Sequence, residues 1–100
     1  MDIQIHAQSF VADHKLRELI EQKLKKLLTF FDRIINAEVH LKLSSHQQVK
    51  DKTLDIKVHV PGATLFASST TKHFEESLEN VLDSMKAQLK KHKEKLVNTH

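Results

Sequence analysis

Ile3, Ile5 and Ala7 alternate with Gln4, His6 and Gln8, a period of two that predicts a short strand with one buried face. The period then changes. Leu16, Leu19, Ile20, Leu24, Leu27, Leu28 and Phe31 recur at spacings of three and four, which predicts a helix of about four to five turns. Asp13 is its expected N-cap, because a carboxylate there accepts from backbone N–H groups that the first turn leaves unpaired. From Ile35 the period of two returns. Ile35, Ala37, Val39, Leu41 and Leu43 point one way, and Asn36, Glu38, His40 and Lys42 the other. Residues 44–52 (SSHQQVKDK) are polar without periodicity and read as a mobile hairpin loop. Leu54, Ile56, Val58 and Val60 alternate with Asp55, Lys57 and His59 as a third strand. Pro61 and Gly62 suit the two central positions of a type II turn, where Pro sets φ and Gly accepts a positive one. Residues 64–70 form a weaker fourth strand, with Leu65, Ala67 and Ser69 on one face and Phe66 and Ser68 on the other. Finally, Phe74, Leu78, Val81, Leu82, Met85, Leu89 and Leu96 fall on one stripe of a helix over residues 74–96.

The predicted order is β-α-β-β-β-α. Each strand buries one face and each helix one stripe. An α+β two-layer sandwich satisfies both: a four-stranded sheet with two helices packed on one face, the other face wet. The first strand reaches the second through a helix, so that pair is expected to be parallel with a right-handed crossover, and the remaining pairs are hairpins. One hundred residues without a linker, repeat or low-complexity tract predict one domain over residues 1–100.

Charge changes the picture in the last helix. Residues 72–83 hold Glu75, Glu76, Glu79 and Asp83 against Lys72. Residues 84–100 hold Lys86, Lys90, Lys91, Lys93 and Lys95 against Glu94. The formal net charge is only +3, so the distribution matters more than the sum. Lys86, Lys90 and Lys93 fall in one sector beside the apolar stripe, and Lys91 and Lys95 on the opposite flank. Acids early and bases late also suit the helix macrodipole, so the pattern alone leaves a structural reading open. The first helix adds Lys15, Arg17, Lys23, Lys25 and Lys26, offset in part by Glu18 and Glu21, and Arg33 follows it. Two helices on one side of a sheet are neighbours, so Lys23 and Lys26 are placed to join the second helix's lysines in one polyanion-binding surface.

Composition closes other routes. There is no Cys, so disulfides and thiolate metal sites are excluded, and a single Gly rules out a Gly-rich phosphate loop. With neither Trp nor Tyr and five Phe, phosphate contact and shape are expected to dominate over base stacking. The N-terminus has no basic region and no apolar run of the signal-peptide kind, and no window could span a bilayer. His6, His40 and His59 belong to the outward sets of three strands and could line up across the open face, although no metal-ligand spacing accompanies them. No nucleophile sits in a recognisable motif. A binding module, with no cofactor, is the expectation.

Three segments carry a resemblance: Phe31-Asp32-Arg33-Ile34 closing the first helix, residues 54–68 (LDIKVHVPGATLFAS) as a hairpin across Pro-Gly, and Gln88-Leu89-Lys90-Lys91-His92-Lys93-Glu94-Lys95-Leu96 ending the second. In this order the chain resembles the bacterial ribosome hibernation promoting factors and ribosome-associated inhibitors, historically called sigma-factor modulation proteins, over essentially its whole length. The resemblance implies a cytoplasmic stress or stationary-phase protein that binds the small ribosomal subunit and its rRNA in the channel for mRNA and tRNA. It implies blocked translation and storage of idle ribosomes. Arg17, Lys23 and Lys26 match basic positions of the family's first helix, Arg33 the FDRI motif, and Lys91, Lys93 and Lys95 the terminal basic run. Members often carry a basic pair where this chain has Ser84 and Ala87; Lys86 and Lys90 stand beside those positions. With Gln88, these ten residues are the expected RNA contacts. An end at His100 resembles the short type, which implies a monomeric free protein and a helper protein for any ribosome pairing. Three alternatives remain: a double-stranded RNA-binding module, a protein-interaction regulator using the open sheet face, and a His-dependent metalloprotein or hydrolase.

Overall fold

A computed structural model describes the backbone of residues 2–8, 10–46 and 49–98, and the side chains of these residues except 44–46, 49–50 and 96–98. The elements are β1 (Asp2–Gln8), α1 (His14–Phe30), β2 (Asn36–His46), β3 (Val49–Val60), β4 (Ala63–Thr71) and α2 (Phe74–Asn98). The sheet order is β1-β2-β3-β4, with β1 parallel to β2 and the other pairs antiparallel. The structure has the expected β-α-β-β-β-α sandwich.

The two periodicities meet in one core. Ala37, Val39 and Leu41 of β2 and Leu54, Ile56 and Val58 of β3 are fully buried, and Ile20, Leu24 and Leu27 of α1 and Leu78, Met85 and Leu89 of α2 close over them. Ile3, Ile5 and Ala7 of the edge strand are half-buried against the same cluster. Leu96 lies outside the residues whose side chains are described.

Local chemistry sets the element ends. The Leu16 N–H donates to Asp13 Oδ1 at 2.7 Å, so Asp13 caps α1. Gly62 takes φ 82°, the value the third position of a type II turn demands, and joins Val60 to Ala63 in a two-residue connection. One backbone carbonyl on each sheet edge is taken by a side chain. Arg17 Nη1 of α1 donates to the Ile5 carbonyl of β1 at 3.4 Å, and Gln88 Nε2 of α2 donates to the Phe66 carbonyl of β4 at 2.7 Å. Such caps occupy backbone acceptors that an open edge would offer to another chain.

Two expectations are corrected. Residues 44–52 are not a loop: β2 and β3 continue through them, pairing Ser44 with Asp51, Ser45 with Lys50 and His46 with Val49, and only residues 47 and 48 lie outside the described backbone. Leu43 is already 39% exposed, so the hairpin leaves the helices' cover there and needs no apolar face beyond it; strand pairing continues where periodicity stops. Ile35 does not point into the core. It is 57% exposed, precedes β2, and its N–H donates to the His59 carbonyl at 2.8 Å.

Candidate nucleic-acid interface

Both helices start at one end of the sandwich and finish at the other. The Phe10 ring stacks on Phe74 at 5.5 Å beside the helix starts, and Phe31 meets His92 edge-on at 5.8 Å beyond the end of α1. Between these contacts, Lys23 Nζ lies 3.0 Å from Glu79 Oε1. A half-exposed pair of this kind adds little stability, but it identifies the flank each helix turns toward the other.

Successive helical residues turn by about 100°, so the remaining positions follow from that pair. On α1, Lys26 and Phe30 continue the side of Lys23. On α2, Lys86, Lys90 and Lys93 continue the side of Glu79, and Asp83 is the last acid before them. The groove between the helices therefore opens with an ion pair and ends where cations outnumber acids. Arg33, just past α1, and Lys93 line the same hollow at its closed end, together with Phe30 and Asp32. Lys26, Arg33, Lys86, Lys90 and Lys93 are all exposed.

The other expected contacts sit elsewhere. Arg17 lies on the far flank of α1, half-buried against the β1 edge. Gln88 is committed to the β4 edge and to Ser84 Oγ at 3.2 Å, and Lys91 lies on that flank of α2, exposed. Lys95 belongs to the same flank. Of the ten residues, six thus gather along one groove: Lys23, Lys26, Arg33, Lys86, Lys90 and Lys93. Arg17, Gln88, Lys91 and Lys95 stand to either side.

Sequence reasoning missed Phe30. Adjacent helical residues diverge by about 100°, so only one of Phe30 and Phe31 can face the core. Phe31 is buried and Phe30 is 39% exposed in the hollow that ends the groove. The pair FF at a helix end was the available signal.

The open sheet face is a separate surface. His6 and His40 are register partners and stack at 5.1 Å, but His59 pairs with Asn36, four residues further along β3 than Asp55, the partner of His40. The three imidazoles therefore do not form one row. His59 Nε2 lies 2.7 Å from Glu38 Oε2 and its Nδ1 lies 3.0 Å from Thr64 Oγ1. The hydrogen bond from His59 holds the Glu38 carboxyl below its ordinary range, opposed by desolvation and helped by the charges of His59, Lys57 and His40. Asp55 takes the Ser68 hydroxyl and lies 3.2 Å from Lys42 Nζ. Among the described residues, no three His, Asp or Glu side chains converge as metal ligands.

The chain is similar to proteins of one family over nearly its whole length. A family model described as sigma 54 modulation protein / S30EA ribosomal protein matches residues 3–97. The chain is 32% identical over 95 residues to a ribosome hibernation promoting factor of Pseudomonas putida, covering 95% of this chain and 89% of that one. It is also 32% identical over 96 residues to that of Escherichia coli K12, covering 96% and 97%. A ribosomal subunit interface protein from Coxiella burnetii superposes with TM-score 0.84 at 27% identity, over 93% of this chain and 98% of that one. The N-terminal domain of Thermus thermophilus Protein Y shares the fold, with TM-score 0.81 at 22% identity over 92% and 99%. A match over nearly the whole chain, joined to relatives that align over most of their own length and are named ribosome hibernation promoting factors, makes this protein a member of the sigma 54 modulation / S30EA ribosomal protein family.

Proposed function

We propose that the chain is a ribosome hibernation factor that binds small-subunit rRNA through the groove between α1 and α2. It acts by binding and not by catalysis. The observation that carries the reading is the placement of Lys26, Arg33, Lys86, Lys90 and Lys93 along one groove, where they outnumber the acids Asp32 and Glu94. The backbone that carries these cations is ordered before binding, so only side-chain freedom is lost on meeting phosphates. Lys23 borders this set with its charge engaged by Glu79, and Arg17, Gln88, Lys91 and Lys95 stand outside the phosphate track.

The mechanism is competitive occupancy. A folded wedge whose basic groove sits on rRNA in the mRNA and tRNA channel cannot share that channel with substrate. Translation stops, and the idle cytoplasmic ribosome is stored, with a helper protein joining ribosomes into dimers. The double-stranded RNA alternative loses ground. It needs a basic hairpin loop, yet residues 44–52 carry only Lys50 and Lys52 beside Asp51.

Competition tests the reading. Protein bound to small subunits should be displaced by excess tRNA and should inhibit translation in proportion to its occupancy. Binding that tRNA leaves untouched would place the protein outside the channel and refute the mechanism.

A further inference from the structure

The closed end of the groove is a hollow of about 440 Å³. Its walls combine three chemistries: the partly exposed Phe30 ring, the cations Arg33 and Lys93, and the Asp32 carboxylate. We propose that this hollow holds a single unstacked RNA base, a proposal that rests on the RNA-binding reading above. Phe30 stacks on the base, Arg33 and Lys93 take the flanking phosphates, and Asp32 accepts a hydrogen bond from the base edge.

The mixture selects this ligand. Cations alone would grip any phosphate. An aromatic ring in the same hollow adds a flat apolar surface that a phosphate cannot use and a base can. A carboxylate in the same hollow repels a phosphate, so the backbone stays at the cationic rim and the base turns inward. Asp32 can accept from an exocyclic amino group, as acidic side chains do from cytosine N4. Guanine, adenine and cytosine carry such a group and uracil does not, so the hollow disfavours uracil. Lys26 and Lys90, further along the groove, continue the phosphate track away from this point. Phe30 ends α1 and borders the core without lying in it, so the protein can change this side chain and still fold.

Affinity for small ribosomal subunits, measured across a salt series, separates stacking from charge. Phe30→Leu should weaken binding about tenfold with the salt slope unchanged, because a base stack carries no counterions. Phe30→Trp should restore it. Lys93→Gln should lower the slope by about one unit. Full affinity for folded Phe30→Leu alongside a weakened Lys93→Gln would overturn the base site and leave the RNA reading standing. Indifference to both substitutions would overturn both. NMR on the unaltered protein is independent of how variants fold. AMP should shift the Phe30 ring protons upfield, UMP less so, and ribose 5-phosphate should move only signals near Arg33 and Lys93. Equal shifts from AMP and ribose 5-phosphate would show a phosphate site without a base and refute the proposal.

Discussion

Lys86→Gln with Lys90→Gln removes two charges from the groove and leaves its walls standing, since both side chains are exposed. The size of the effect follows from counting. Five groove cations are not engaged by Glu79: Lys26, Arg33, Lys86, Lys90 and Lys93. Each phosphate neutralised contributes about 0.7–0.9 to the slope of log affinity against log salt, so full engagement gives a slope near −4. Between roughly 50 and 200 mM salt the unaltered protein should lose about 100- to 500-fold in affinity, and the double variant only about 20- to 40-fold. Filter binding or sedimentation with purified small subunits reads both slopes. Thermal melts should agree to within about 0.5 kcal/mol, as for surface substitutions generally. Lys15→Gln with Lys57→Gln removes the same charge away from the groove, one position beside the start of α1 and the other on the open sheet face. Equal flattening by the two pairs would mean that a diffuse positive field, and not the groove, attracts the RNA, and the argument from convergence would fail.

Three further outcomes follow from the fold. Leu24→Ala empties a fully buried position of α1 and should cost about 2–5 kcal/mol, seen as a lower urea midpoint at unchanged slope. Gly62→Ala should cost about 1–2 kcal/mol through its positive φ alone, because an added Cβ meets nothing within 4 Å; an unchanged melting temperature would show the turn to be freer than its geometry suggests. Glu38→Gln removes a carboxyl whose folded titration is depressed by His59, so the lost stability is present above the ordinary carboxylate range and vanishes as pH falls through the depressed value. The melting difference between Glu38→Gln and the unaltered protein should therefore shrink on acidification, and a constant difference would exclude the linkage.

Much of the architecture is legible from side-chain period alone, because each buried face repeats with its own backbone geometry. Ile3, Ile5 and Ala7 and the stripe from Phe74 to Leu89 have the burial that their spacing predicts. What period cannot show is backbone pairing outside the core. The outer parts of β2 and β3 carry no apolar face, so their sequence looks like a loop while their ladder continues. Strand register was equally hidden. Alternation puts His6, His40 and His59 on one face, but the pairing of His59 with Asn36 sets it apart from His40 along the sheet. The basic groove was half visible. Charge segregation in α2 marked its lysines, and helix adjacency suggested Lys23 and Lys26 as partners. That Lys23 is bound to Glu79, that Arg17 and Gln88 serve the sheet edges, and that Phe30 opens onto the groove depend on how the helices are rotated against each other. Helix rotation is set by packing of the whole core and leaves no local signature.

The central claim, that the interhelical groove grips rRNA of the small subunit, is tested most directly by sedimenting the protein separately with purified small and large ribosomal subunits across a salt series. The account predicts saturable binding of one protein per small subunit, a salt slope near −4 and little retention on large subunits. Equal retention on both subunits, or binding to the small subunit that salt does not weaken, would contradict it.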